Sequence, residues 1–266
     1  MVGVFKTSAC TFSVETLKKI DKYIKESNAK KHLDGINQAC EKFNINTCIR
    51  KAHFIAQILH ETGHLSLVKE GGGEHKKYQP YYGRGLIQLT HEKNYITYST
   101  YIGEDCYSTP TNLDKLLVSP HSGLSAGYFW MNKKLNNTAD INDFLYLTCR
   151  VNGGFNGFND RYRILKNTFK EFNISEITDY KFKDSKVYND LTYSYAWGMW
   201  HDESKSHLHG MTKDKEKAKA GYYRTLELIK AGEKVPTGQN VYGNKTTADL
   251  KKWATKHLIR LGGTAP

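Results

Sequence analysis

Residues 53–63 read His53-Phe54-Ile55-Ala56-Gln57-Ile58-Leu59-His60-Glu61-Thr62-Gly63, a strongly apolar segment that ends in an acid. With Ile49, Ala52, Ala56 and Leu59 it repeats apolar residues every three or four positions, which predicts an amphipathic helix. Glu61 lies three residues after Ile58 and seven after Phe54, so it shares their apolar flank. A carboxyl group there loses solvation, which disfavours its charged form and raises its pKa. A general acid working near neutral pH needs that shift. The plainer reading is a helix-end glutamate turned to solvent or paired with a lysine.

The same spacing extends on both sides. Ser13 is placed to cap a helix carrying Leu17, Ile20 and Ile24, and a second stripe runs through Leu33, Ile36, Cys40 and Phe43. Further helices fit about 112–118, 121–135, 140–150 and 158–172. Between them, residues 62–90 turn Gly-rich and Tyr-rich, which reads as a long active loop or a short β-hairpin. Residues 176–211 are rich in Tyr, Trp, Asp and His without a clear period. Two more helices fit about 213–231, ended by Gly232, and about 247–261, with Thr246 and Asp249 as its capping pair. The expected architecture is mainly α: a two-lobed helical domain over 1–175 and a helical C-terminal extension over 176–266.

Three further patterns carry chemistry. Glu70 and Glu74 bracket Gly71-Gly72-Gly73, nine residues or more beyond Glu61. Hydrolysis of a glycosidic bond wants two carboxyl groups, set roughly 6.5–9.5 Å apart where the product inverts. A helix-end acid and a loop acid can make that gap. Then comes Tyr81-Tyr82-Gly83-Arg84-Gly85-Leu86-Ile87-Gln88-Leu89-Thr90, followed by Asn94-Tyr95. Glycine permits close backbone approach, and Gln88, Thr90 and Asn94 offer neutral groups suited to sugar hydroxyl and acetamido groups. A tight hairpin with Arg84 buried against a carboxylate fits the same residues. The third pattern is Val151-Asn152-Gly153-Gly154-Phe155-Asn156-Gly157.

Together, His60-Glu61-Thr62, the 81–90 stretch and Val151–Gly157 resemble glycoside hydrolase family 19, the chitinases and lysozyme-like endolysins, over about residues 13–172. The Ser119-Pro120 to Tyr128-Phe129-Trp130 segment fits between them in order. The resemblance implies a lysozyme-like fold and an inverting mechanism with no cofactor and no metal. It makes Glu61 the acid and Glu70 the base, with Glu74 a rival because the glycine run departs from the family pattern. It makes Thr90 a holder of the attacking water, and Gln88, Asn94, Tyr82 and Asn152 sugar-binding groups. Arg84 and Arg161 would order the site. Only ten residues separate Glu70 from Tyr81, which resembles the peptidoglycan-cutting branch more than the plant-type chitinases. The resemblance therefore puts a muramidase first and a chitinase second. An inactive wall-binding module, an antibacterial effector of this fold and a lytic transglycosylase are the other readings.

Composition narrows the partners. The chain has 266 residues, a formal charge of +12 and 25% charged residues. Such a surface is drawn to polyanions, an acidic cell wall among them. No block of five or six basic residues marks a nucleic-acid arm, and no apolar run is long enough to span a membrane. The first residues lack the pattern of a signal peptide. The expectation is a protein made in the cytoplasm that reaches the wall by a non-Sec route, through delivery machinery and, as an effector, with an immunity protein. Five cysteines in no metal-type spacing are expected to be reduced and buried; one bridge among Cys10, Cys40 and Cys48 is the alternative. His201, Asp202, Glu203, His207 and His209 lack ligand spacing, so no metal is expected there. Tyr193, Tyr195, Trp197 and Trp200 fit either a wall-binding surface or internal packing.

Overall fold

The computed structural model describes residues 10–175 and 179–266. Among these residues the chain forms twelve α-helices and no β-strand. Helix α1 (Val14–Ile20) starts where the Ser13 hydroxyl accepts the Thr16 amide at 3.0 Å. Its apolar residues, with those of α2 (Glu26–Lys42), turn inward as the spacing predicts. Helix α3 (Cys48–Glu61) is capped by Thr47 and is buried from Ala52 through Leu59. Phe54 meets Trp130 edge to face at 5.3 Å. Eight consecutive buried residues, the polar His53 and Gln57 among them, place this stretch of the helix in the core.

The region 62–90 is not a hairpin. Thr62 ends α3: its hydroxyl donates to the Ile58 carbonyl at 2.7 Å and accepts the Leu65 amide at 3.0 Å. Gly63, His64 and Leu65 then take φ of 50°, 62° and 64°, and three left-handed residues in a row cannot open a strand. The chain then continues as loop, with a 3₁₀ turn at Gly73–His75 and the isolated bridges Lys69–Arg84 and Arg84–Leu89.

Helix α4 (Glu92–Ile102) was not legible in the periodicity. Its Tyr and Thr residues favour strands; burial of Tyr95, Tyr98 and Ser99 makes it helical. The expected 112–118 element is α5 (Pro110–Asp114) with a 3₁₀ turn at Lys115–Leu117. Helix α6 (His121–Asn132) crosses α2 where Gly35 and Gly123 touch: a Cβ on Gly123 would lie 2.1 Å from the Gly35 carbonyl. The expected 140–150 helix is instead α7 (Leu135–Asp140) and α8 (Phe144–Asn152), because left-handed Asn142 breaks the chain and Asp143 caps the second. Helix α9 (Phe158–Glu171) comes next.

Beyond residue 178 the aperiodic stretch conceals α10 (Leu191–His201). Tyr195, Trp197 and Trp200 are buried, so no polar face is left to produce a period. Trp197 stacks on Phe182 at 4.8 Å and meets Phe155 edge to face; these aromatics pack internally. Helices α11 (Lys215–Lys230) and α12 (Thr247–Arg260) fall close to the expected ranges, and Thr246 caps α12 through the Asp249 amide at 3.1 Å. His201 Nδ1 lies 2.7 Å from the Thr212 carbonyl, while Asp202 binds Arg260 and Tyr222.

By packing, the described residues divide into two units. The first runs to Asn142 and resumes at Arg161; the second takes Asp143–Asp160 and the described residues beyond 178. The 1–175 and 176–266 division expected from sequence concerns function and stays a proposal. Among the described residues, no helix is long and apolar enough to cross a membrane.

The cysteine expectation needs correction. Cys10 and Cys48 form a disulfide across 38 residues, with Cα atoms 5.4 Å apart; Cys40, Cys106 and Cys149 are free and buried. Burial pushes the Cys40 thiol up to about 12. Closing a loop of that length restricts the unfolded chain by about 4 kcal/mol. Cys48→Ser is therefore expected to lower Tm measurably in oxidising buffer, and excess reductant is expected to bring the parent down to the same Tm. Equal Tm values for parent and variant would show that the bridge adds no stability.

Candidate active site

Glu61 is the last residue of α3, and its environment differs from the apolar flank expected. The side chain is 23% exposed, and its Oε1 accepts a hydrogen bond from Arg161 Nη2 at 2.5 Å. Arg161, on α9, is completely buried and uses Nη1 on the Gln57 side-chain oxygen at 2.7 Å. Gln57 sits one helical turn before Glu61, on the same face of α3. The planar guanidinium thus spans two residues of one helix and fixes the carboxylate in orientation. The sequence motifs did not single out Gln57, although its i, i+4 relation to Glu61 was there to read.

Glu70 is held differently. Its Oε2 accepts the Gly83 amide at 2.9 Å and its Oε1 accepts the Tyr78 hydroxyl at 2.7 Å. The Glu70 amide in turn donates to the Gly83 carbonyl at 2.8 Å. The Gly83 amide, then Tyr78, and more weakly Lys76 and His91 hold the Glu70 carboxyl below its ordinary value. Gly83 leaves little room here: a Cβ would lie 2.8 Å from Gln88 Oε1, which would have to shift, and 3.3 Å from the Glu70 side chain. Glu74 stands in the 3₁₀ turn with 56% of its side chain exposed and His75 at 3.9 Å. The two loop acids are therefore unequal: Glu70 is anchored and Glu74 is solvated.

The rest of the 81–94 stretch builds the support. Arg84 is buried, with Nε on Asp114 at 2.9 Å and Nη1 on the Pro80 carbonyl at 2.8 Å and the Tyr95 hydroxyl at 3.2 Å. This is the buried arginine–carboxylate arrangement open from sequence, with Asp114 supplying the acid. Tyr82 is buried as well. Its ring fills the space a Cβ on Gly73 would enter and carries the Arg84 guanidinium 3.8 Å from its centre. That enclosure gives Tyr82 a packing role beside the sugar-binding one expected from the resemblance. Gln88, with φ 55°, donates to the Leu67 and Gly85 carbonyls and ties the two arms of the loop. Thr90 donates to the Gln88 carbonyl at 2.8 Å, and exposed Asn94 donates to the Thr90 carbonyl at 2.7 Å.

Asn152 belongs to the second unit, at the last position of α8. Its Oδ1 is buried without a hydrogen-bond partner among the described residues. The next two glycines have local reasons. Gly153 takes φ 79° to end the helix, and a Cβ on Gly154 would lie 2.5 Å from the Trp200 ring.

No family model matches the chain. A glycosyl hydrolase family 19 domain-containing protein of Haemophilus influenzae is 31% identical over 119 residues, which is 44% of this chain and 53% of that protein. Chitinase 4 of Oryza sativa subsp. japonica is 36% identical over 95 residues, 30% of this chain and 32% of its own length. The chain thus spans about half of the first relative and about a third of the second. Among solved structures, a chitinase C variant superposes with a TM-score of 0.50 at 18% identity, over 62% of this chain and 78% of that one. That likeness concerns the fold. Over the stretches they share, the sequence relatives make the chain similar to a glycosyl hydrolase family 19 domain protein and to a chitinase.

Proposed function

We propose that the chain is an inverting glycoside hydrolase that cuts β-1,4 bonds in a polymer of N-acetylated amino sugars. The observation that carries this reading is the unequal treatment of its acids. Glu61 ends a core helix under the control of one buried arginine, while Glu70 is held as a carboxylate by an amide and a phenol. In the reaction, Glu61 gives its proton to the glycosidic oxygen as the bond to the anomeric carbon breaks. Glu70 takes a proton from water, whose oxygen bonds to that carbon from the opposite face. Arg161 then stabilises the Glu61 carboxylate left behind. Thr90, on the same loop system, is the residue proposed to help hold the water.

The name of one sequence relative, a chitinase, favours chitin as substrate, which moves chitin ahead of the peptidoglycan put first from sequence. Peptidoglycan remains the second reading, and two features support it: the charge of +12 and the short link between Glu70 and Tyr81. Digestion of chitin oligomers and, separately, of purified sacculi tests both, with mass spectrometry of the products and NMR of the first anomer released. Chitin fragments of inverted anomer are the expected result; muramic acid reducing ends of inverted anomer would establish the second substrate. Retained anomers or anhydro-sugar ends would overturn the mechanism. Binding of either polymer without cleavage would identify an inactive module.

A further inference from the structure

The second unit contains a pocket that the proposed hydrolysis does not use. It encloses about 190 Å³ between α10, α12 and the turn Val241–Asn244. Drug-sized ligands need roughly 300–1,000 Å³, so this is room for a single ring. Trp253 forms one wall and is 41% exposed, whereas Trp130, Trp197 and Trp200, the other three tryptophans, are at most 5% exposed. Its indole is fixed in orientation rather than loose on the surface. Trp253 stacks on His257 with centroids 5.9 Å apart, and His257 stacks on Tyr222 at 5.1 Å. Tyr222 is anchored in turn by donating to Asp202 at 2.9 Å.

Three observations specify what fits. A flat, oriented aromatic face beside a one-ring pocket matches the apolar face of a pyranose, whose hydroxyl groups then point to the edges. His257 lines the pocket, is only 7% exposed, and has no hydrogen-bond partner on Nδ1 among the described residues. A buried polar atom left unmatched is costly unless a ligand or water completes it. Finally, the rim is cationic. Lys205 lines the pocket, and the Lys256 ammonium, outside that lining, lies over the Trp253 ring 4.8 Å from its centre. Asp202 offers these lysines little, because its buried carboxylate is already bound by Arg260, Tyr222 and Ser204.

We propose that this pocket binds one N-acetylated amino sugar bearing a carboxylate, with the ring on Trp253 and the acid facing Lys205 and Lys256. The choice of an amino sugar rests on the proposed function; the preference for an acidic one rests on the pocket. Such a site would hold the chain on peptidoglycan, the second of the two proposed substrates, independently of cleavage.

N-acetylmuramic acid and N-acetylglucosamine share a ring and differ by a lactyl carboxylate, which makes them the probes. Acrylamide quenching of the full Glu61→Gln chain reads Trp253 selectively, because the other indoles are buried. N-acetylmuramic acid at millimolar concentration is expected to protect the quenchable fluorescence, and N-acetylglucosamine to need at least tenfold more. Trp253→Phe should remove the quenchable component together with the protection. Lys205→Gln with Lys256→Gln should remove the difference between the sugars. Absence of protection, protection that persists in Trp253→Phe, or equal protection by both sugars would each overturn the proposal. No turnover enters this readout, so a failure of the hydrolase reading would register in the digestion experiment and not here.

Discussion

On the proposed function, Glu61→Gln is expected to fold as the parent does and to lose at least a hundredfold in kcat. A positioned general acid contributes roughly 10²–10⁴ in rate, and an amide of the same shape cannot supply the proton. The substitution is conservative in every other respect. Its side-chain oxygen can still accept from Arg161 Nη2, and Arg161 keeps its bond to Gln57. The guanidinium does lose its counter-charge while completely buried, so a lower Tm accompanies the loss of rate. Circular dichroism at the assay temperature separates the two effects. A folded variant with nearly parental kcat would remove Glu61 from the chemistry.

Glu70→Gln is expected to produce the second large loss, again at least a hundredfold, with Glu74→Gln within a few-fold of the parent. The reason lies in how each acid is held. A general base must be ionised, and Glu70 receives two hydrogen bonds that favour its carboxylate, whereas Glu74 lies in solvent. Because the Gly83 amide and Tyr78 lower the Glu70 value, the acid limb of kcat/KM should fall below the ordinary glutamate range. The stabilising interaction is present above the unfolded value and is lost as pH falls through the folded one. Tyr78→Phe deletes one of the two bonds and is expected to move the acid limb up while leaving the fold intact. A pH profile unchanged in Tyr78→Phe, together with a large loss in Glu74→Gln, would transfer the base to Glu74.

Local sequence determined most of the helical frame. The three-and-four spacing within each helix, as around Leu17, Ile36, Ala52 and Leu250, and the caps at Ser13, Thr47 and Thr246 act within a turn or two of chain. They can be read without knowing what they pack against. Glu61 was legible for the same reason, as an acid at the end of an apolar stripe. Helices α4 and α10 were not, since each owes its form to burial that pattern cannot show: tyrosines on one, aromatics on every face of the other.

Tertiary structure alone decided the site's electrostatics. Arg161 meets Glu61 from 100 residues away, and that contact replaces the apolar environment expected from the helix pattern. Glu70 differs from Glu74 only because the loop folds back to offer the Gly83 amide and Tyr78. Cys10 finds Cys48 rather than Cys40 because the fold brings the Cys10 and Cys48 Cα atoms to 5.4 Å. Sequence spacing encodes which face of a helix a residue takes, but contacts between distant segments depend on how whole elements dock, and that is set by the summed packing of the core.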